Sequence, residues 1–199
     1  MQSKPASKLL ADWRAEPGEK TLGGLLDTVG LRSFALLFVV LLGLPALPIP
    51  TGGITSVFEI LAMLLALQLI VGRRTVWLPK RWCATALDGE RSTKLIDGLI
   101  DYTTKIERHS APRLTALFGH WWSDVAFGIT VLVGTIGSFL APPFSGLDTL
   151  PALGVVILSI GVIMEDIAYV IGGIALIVIG ITLELTVGGA IYSGVKSLL

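Results

Sequence analysis

Hydrophobic residues gather into five stretches along this chain, at about 33–47, 54–71, 125–141, 150–164 and 167–195, with polar segments between them. A helix rises about 1.5 Å per residue and needs roughly 20 residues to cross a hydrocarbon layer about 30 Å thick. The first stretch, SFALLFVVLLGLPAL, is short and runs into Pro45, Pro48 and Pro50. The second, at about 27 Å, just reaches, while the third and fourth are separated by Pro142, Pro143, Ser145 and Gly146. The fifth, about 43 Å long, is too long for one upright crossing. It must tilt, project, or break near Gly172, Gly173 or Gly180. The pattern predicts an all-α, polytopic membrane protein built from short, partly re-entrant helix pairs.

Two polar blocks flank these stretches. In 72–124, Leu95, Ile96, Leu99, Ile100, Thr103 and Ile106 recur at helical spacing among charged residues, which predicts an amphipathic helix ending before Pro112. Leu9, Leu10 and Trp13 predict a second one before Pro17. All five tryptophans lie in these blocks, near apolar boundaries, as expected of helices in the headgroup layer. The chain thus divides into an interfacial segment, 1–32, and a membrane domain, 33–199. Within the latter lie a first unit at about 33–82, a connector at 83–124, a second unit at about 125–175, and the long last helix at 167–195.

Composition sharpens the picture. Hydrophobic residues make up 53% and charged residues only 15% of the chain, against roughly a quarter charged in soluble domains. Of 15 Lys and Arg residues, 14 fall in 1–32 and 72–124, together with ten of the 15 acids. A soluble protein scatters its charges, so this distribution excludes one. Zero net charge leaves no basic surplus for nucleic acid. Both blocks are rich in Lys and Arg, which places the N-terminus and 72–124 on the cytoplasmic side and makes the stretch between them a hairpin. No cleavable signal pattern is visible. The single Cys83 excludes a disulfide framework and a Cys-based metal cluster. His109 and His120 are separated by Pro112 and Gly119, and no catalytic motif is present, so neither a metal, a cofactor nor an enzymatic activity is expected.

The chain also resembles itself at an offset of about 94. Gly43, Pro48, Gly52 and Thr55 meet Gly137, Pro142, Gly146 and Thr149. Each copy runs from a short apolar helix through a Pro/Gly turn into a second helix and then a charge pair, Arg73–Arg74 or Glu165–Asp166. Paired, interrupted hydrophobic segments are a pointer to a transporter-like site. The sequence leaves open whether the copies face the same way or are inverted.

Candidate chemistry follows from polar groups at apolar positions. Lipid does not tolerate unpaired backbone, so the two turns are either hairpin tips in the headgroup layer or the lining of a polar cavity. Thr51, Thr55 and Ser56 cluster at one helix start, Ser145 and Thr149 at the other, and a helix N-terminus suits an anion. Glu59 and Glu184 are the acids set deepest in apolar segments. An acid at the bilayer centre costs about 2.5–3.5 kcal/mol, so it pairs, protonates or serves function. Glu59 shares a face with Thr55, Ala62 and Ala66, and Glu184 shares one with Gly173 and Gly180. Thr51, Thr55, Glu59, Gln68 and Glu184 are the candidate substrate or ion ligands. Arg73, Arg74, Glu165 and Asp166 are a candidate charge cluster or gate. Thr130, Gly134 and Ser138 form another small-residue face, and such faces make a homodimer plausible.

Three runs, TLGGLLDTVGLRSFALL (21–37), LPALPIPTGGITSVFEILAMLLALQLIVGRRTVWLPKR (44–81) and LPALGVVILSIG (150–161), resemble the ExoD family of bacterial exopolysaccharide-synthesis membrane proteins. The most specific part is the P-x-P turn and its apolar helix, followed by Gln68, Gly72-Arg73 and Trp77-Leu78-Pro79. Where relatives carry Glu-Arg-Asp-Gly after the fourth apolar segment, this chain reads Met164-Glu165-Asp166-Ile167. The resemblance implies an inner-membrane protein tied to exopolysaccharide production and brings no catalytic residues. The leading expectation is transport or translocation of a small anionic or lipid-linked solute. The rival is a non-transporting scaffold or regulator that meets polysaccharide-synthesis proteins through 72–124. A polar cavity lined by Thr51, Thr55, Glu59 and Gln68 favours the first; a tightly packed core with polar groups only at its ends favours the second.

Overall fold

The computed structural model describes residues 6–15, 17, 20, 21, 24, 28, 31–47, 54–73, 75–77, 97, 98, 101, 104, 121–141 and 146–198, with side chains up to residue 187. The described residues form six α-helices and no strand: α1 (Ala6–Ala15), α2 (Leu31–Gly43), α3 (Ile54–Ile70), α4 (Trp121–Leu140), α5 (Thr149–Met164) and α6 (Ile167–Leu198). Each predicted apolar stretch is a helix. The overlong fifth stretch does not break: its 32 residues form one helix of about 48 Å. Of the predicted connector helix, only Asp97, Gly98, Asp101 and Thr104 are described, and all four are helical.

Helix ends follow from turn chemistry. α2 stops at Gly43 because Pro45 cannot continue it, and Ala46 N–H closes the turn on Leu42 O at 2.9 Å. α3 ends with Gly72 in the left-handed region (φ 87°); Gly72 N–H reaches Leu69 O at 2.9 Å and Arg73 N–H reaches Gln68 O at 3.1 Å. α5 ends the same way, with Glu165 at φ 54°, Glu165 N–H on Val162 O and Asp166 N–H on Gly161 O. Both are Schellman caps, and the last residues of the two helices, Ile70 and Met164, stand 94 positions apart.

The helices thread up and down. Gly128 of α4 lies against Ala66 and Ile70 of α3, whereas Ser138 meets Glu59, so α3 and α4 are antiparallel. Arg32 at the start of α2 pairs with Glu165 at the end of α5. α2 therefore begins, and α3 ends, at the same end of the bundle as the start of α4 and the α5–α6 turn. Both basic blocks leave the bundle from that end. Within it, α3 packs chiefly on α4 and α2 chiefly on α5, with lesser packing inside each hairpin. The core runs through Phe34, Phe38, Leu42, Ala62, Ala66, Leu69, Val131, Val155 and Leu158, and Phe38 meets Phe127 edge-on at 5.7 Å.

α5 and α6 pack most extensively, and glycine permits it. A Cβ on Gly173 would stand 2.5 Å from Leu158 N and 2.7 Å from Gly154 O, so here the two backbones touch. Gly180 lies on Pro151, and Gly134 and Gly137 of α4 seat Ile177 and Ile181. Gly134, Gly173 and Gly180 of the small-residue stripes thus meet neighbours within the chain. α1 buries Leu10 and Trp13, while Arg14 pairs with Asp97 and the Lys20 ammonium sits over the Trp13 ring.

Outward faces stay apolar. Val57, Ile60, Leu64 and Leu67 on α3, Ile129, Val133 and Ile136 on α4, and Ile171, Val178 and Ile179 on α6 are all exposed. Water disfavours contiguous apolar surface of this kind. α4 and residues 167–187 of α6 are long and apolar enough to cross a membrane, whereas α2, α3 and α5 are shorter.

The two adjacent glycines of α6 give a direct test. Gly173→Ala meets backbone that cannot rotate away and should cost about 1–3 kcal/mol of stability. Gly172→Ala meets nothing within 4 Å and should be neutral or stabilising by up to ~1 kcal/mol. Thermal unfolding of the detergent-solubilised protein reads both.

Candidate functional site

Most polar groups of the core fall toward its two ends, with Thr135 and Ser159 buried between them. At the end carrying the 43–54 and 140–149 turns, Glu59 projects from the second turn of α3 and is 3% exposed. Ser138 Oγ, near the end of α4, donates to Glu59 Oε1 at 2.5 Å and lies 3.2 Å from Asp148 O. Thr55 is buried one turn above Glu59. Glu184 reaches in from α6, where its Oε2 lies 3.8 Å from the position a Cβ would take on Gly137. Its Oε1 is buried and accepts no hydrogen bond among the described residues. Glu59, Asp148 and Glu184 are close enough to repel one another. The arrangement sets two glutamates from different helices beside the Ser138 hydroxyl and the buried Thr55.

Glu59 and Glu184, candidates from two different helices, are brought to the same end of the bundle as Thr55. Thr51 lies outside the described residues. Gln68 belongs elsewhere: it sits nine residues from Glu59, about 13 Å along α3. Its Oε1 accepts Trp77 N–H at 2.8 Å and its Nε2 donates to Trp77 O at 3.3 Å. Gln68 therefore fastens the segment after α3 back onto the helix and leaves no amide group aimed at a ligand.

The expected charge cluster is divided. Glu165 accepts from Arg32 Nη2 at 2.6 Å, both side chains being 13% exposed. Asp166 is buried, and its Oδ1 accepts Ala168 N–H at 2.9 Å, capping α6. Arg73 is exposed at the end of α3, and Arg74 lies outside the described residues. Sequence reasoning missed Arg32 as the partner. The signal was there, since Arg32 directly precedes the first apolar stretch. Ser138 was read as a packing residue, and its role as a donor emerges only from the antiparallel register of α3 and α4.

No group of three or more metal-binding side chains occurs among the described residues. The model of the family described as "Exopolysaccharide synthesis, ExoD" matches residues 6–186, from α1 through Glu184. The chain belongs to the ExoD family. Protein ExoD of Rhizobium meliloti is 32% identical over 148 residues, covering 70% of this chain and 58% of that protein. An uncharacterized protein of Synechocystis sp. is 31% identical over 120 residues, 60% of this chain and 56% of the other. This ExoD-family chain thus spans a little over half the length of the curated relatives it matches. No solved structure matches it.

If the Ser138 hydroxyl satisfies a buried acid, Ser138→Ala should destabilise the folded protein by about 1–3 kcal/mol. Glu59→Ala and Ser138→Ala should then be non-additive by about 0.5–3 kcal/mol in a thermal double-mutant cycle, as contacting residues are.

Proposed function

We propose that this ExoD-family chain is a polytopic protein of the bacterial inner membrane that supports exopolysaccharide synthesis as a non-transporting scaffold or regulator. The observation that carries this reading is the closed interior between the two polar ends. Along the inward face of α3, Ala62, Leu65 and Ala66 separate Glu59 from Gln68, and all three are buried. Opposite them, Gly128 and Gly134 bring backbone or branched side chains into direct contact. A solute pathway needs polar lining through the layer, and here only the hydroxyls of Thr135 and Ser159 are buried between the ends, that of Thr135 turned back onto Val131 O. The order expected from sequence is therefore reversed: scaffolding leads, and transport of a small solute follows. One observation favours transport, namely the buried Glu59 carboxylate on Ser138 and the half-buried Glu184 beside Gly137. In that second reading they accept a proton or a cation.

In this proposal the two hairpins, α2–α3 and α4–α5, are parallel copies of one unit. Their matching Schellman caps and their common order support this. The N-terminus and the 72–124 connector face the cytoplasm, because both basic blocks emerge at one end. They offer the surface that polysaccharide-synthesis proteins meet. α1 lies in the interface plane, with Leu10 and Trp13 on its inner face.

Two measurements test the reading. In cells whose own copy is deleted, Glu59→Gln and Glu184→Gln, expressed to equal membrane levels, should restore secreted polysaccharide as wild type does. A fall to the level of the deletion strain would make transport the better account. On a Cys83→Ser background, Leu47→Cys should react with an impermeant maleimide in intact cells and Trp122→Cys only after lysis. The opposite pattern would invert the topology.

A further inference from the structure

Polar residues bound the apolar helices at nearly the same two levels. α5, with 16 residues, is about 24 Å long and lies between Asp148 and Glu165. α3, with 17 residues, is about 26 Å long and leads into the exposed Arg73. α4 opens on Trp-Trp-Ser-Asp, so its apolar part, 125–140, is also about 24 Å long. On α6 the run from Asp166 to Glu184 covers about 27 Å. α2 covers only about 20 Å with its 13 residues. Each value falls short of the roughly 30 Å of an average hydrocarbon layer, and any tilt lowers it further. The outward belt has the same height. Its exposed apolar residues run from Val57 to Val71 on α3, about 21 Å, and from Ile171 to Val187 on α6, about 24 Å.

The two ends of the bundle are held differently. At the end with the basic blocks, Trp77, Trp121 and Trp122 are exposed, as is Arg73. Such residues hold a helix end at the headgroup level, so the bundle cannot slide inward from that side. The 43–54 and 140–149 turns contain no Trp, Lys or Arg. There the backbone leaves its helices, with Leu47 and Gly146 exposed. Helix ends carry backbone groups without intrahelical partners. Leaving such a group in hydrocarbon costs far more than drawing the lipid in by an ångström. The lipid therefore yields before the turns do.

We infer that the lipid-facing surface of this chain fits a hydrocarbon layer about 25 Å thick, and that an average layer is drawn in by about 5 Å around the 43–54 and 140–149 turns. The deformation falls on the leaflet at the turn end, because the tryptophans fix the other. This inference rests on the reading of the chain as a membrane protein and is independent of whether it transports anything.

The test reconstitutes the full chain into phosphatidylcholine vesicles whose hydrocarbon cores are about 24, about 27, about 30 and about 33 Å thick. The thermal unfolding midpoint should be highest in the two thinner layers and lower by about 5 °C in the thickest. A midpoint that is flat across the series, or highest at about 30 Å or above, overturns the inference. Depth gives a second readout. Val57 lies about 22 Å from Gly72 along α3. On a Cys83→Ser background, a nitroxide on Val57→Cys in the layer about 30 Å thick should lie within about 3 Å of the hydrocarbon edge at the turn end. An undeformed layer puts it about 8 Å deep, and a depth nearer that value overturns the inference. Should Val57→Cys not fold, the wild-type thickness series decides alone. A chain that floats with none of the vesicles overturns the membrane reading itself.

Discussion

Hydrocarbon gives no reward for pressing one apolar helix against another, because lipid tails are as apolar as leucine. What holds helices together in that solvent is contact density, and contact density depends on how closely two backbones approach. The α5–α6 pair meets this constraint with Gly154 and Gly173, where each backbone stands in the space a Cβ would need. Gly180 against Pro151 extends the contact, and Gly134 and Gly137 bring α4 to the same helix. α6 is thereby fixed along one narrow stripe while most of its circumference stays outward. The position of Glu184, one turn beyond Gly180 on that stripe, follows from this packing.

The same constraint separates the polar residues. A buried backbone contact leaves no room for water, so hydroxyls and carboxylates gather where the glycine contacts end. Glu59, Ser138 and Glu184 occupy one such end, and Gln68, Arg32, Glu165 and Asp166 occupy the other. Thr135 and Thr130, caught between, return their hydroxyls to carbonyls four residues back. Ser159, fully buried, accepts and donates no hydrogen bond among the described residues. The interior that results is closed around apolar side chains, and this favours a structural or regulatory role over a conduit.

Much of this was legible in the sequence, and the rest had physical reasons for being hidden. Helix positions were legible because apolar stretches bounded by proline leave few alternatives: 54–71 and 150–164 differ from α3 and α5 by one residue at an end. The inward face Thr55–Glu59–Ala62–Ala66 was legible from helical spacing and is buried throughout. Partners were not legible, because they depend on register between helices distant in sequence. Arg32 lies 133 residues from Glu165, and Glu59 lies 79 from Ser138. Gln68 misled for a local reason: a polar side chain at the end of an apolar helix can serve the next turn of chain as easily as a ligand. The glycines of α6 allow either a break or close packing, and the structure shows the second. Glycine weakens a helix in water, yet here it marks where a neighbour comes close, and the helix runs through without a break.

The two Schellman caps show how one local motif serves two ends. At Gly72 the left-handed conformation costs nothing, since glycine has no Cβ. At Glu165 it costs about 1–2 kcal/mol, and a glycine there would avoid that. The glutamate contributes what glycine cannot, a carboxylate that meets Arg32 in a half-buried ion pair and joins the start of α2 to the α5–α6 turn. A pair so placed is held in position by the cap itself, so little side-chain entropy is lost in forming it, unlike a pair between two mobile surface chains. It also ties the first hairpin to the last helix at the end from which both basic blocks emerge. At this turn the two acids divide the work: Glu165 takes Arg32 and Asp166 caps α6, so the turn is fixed both to α2 and to the helix that follows.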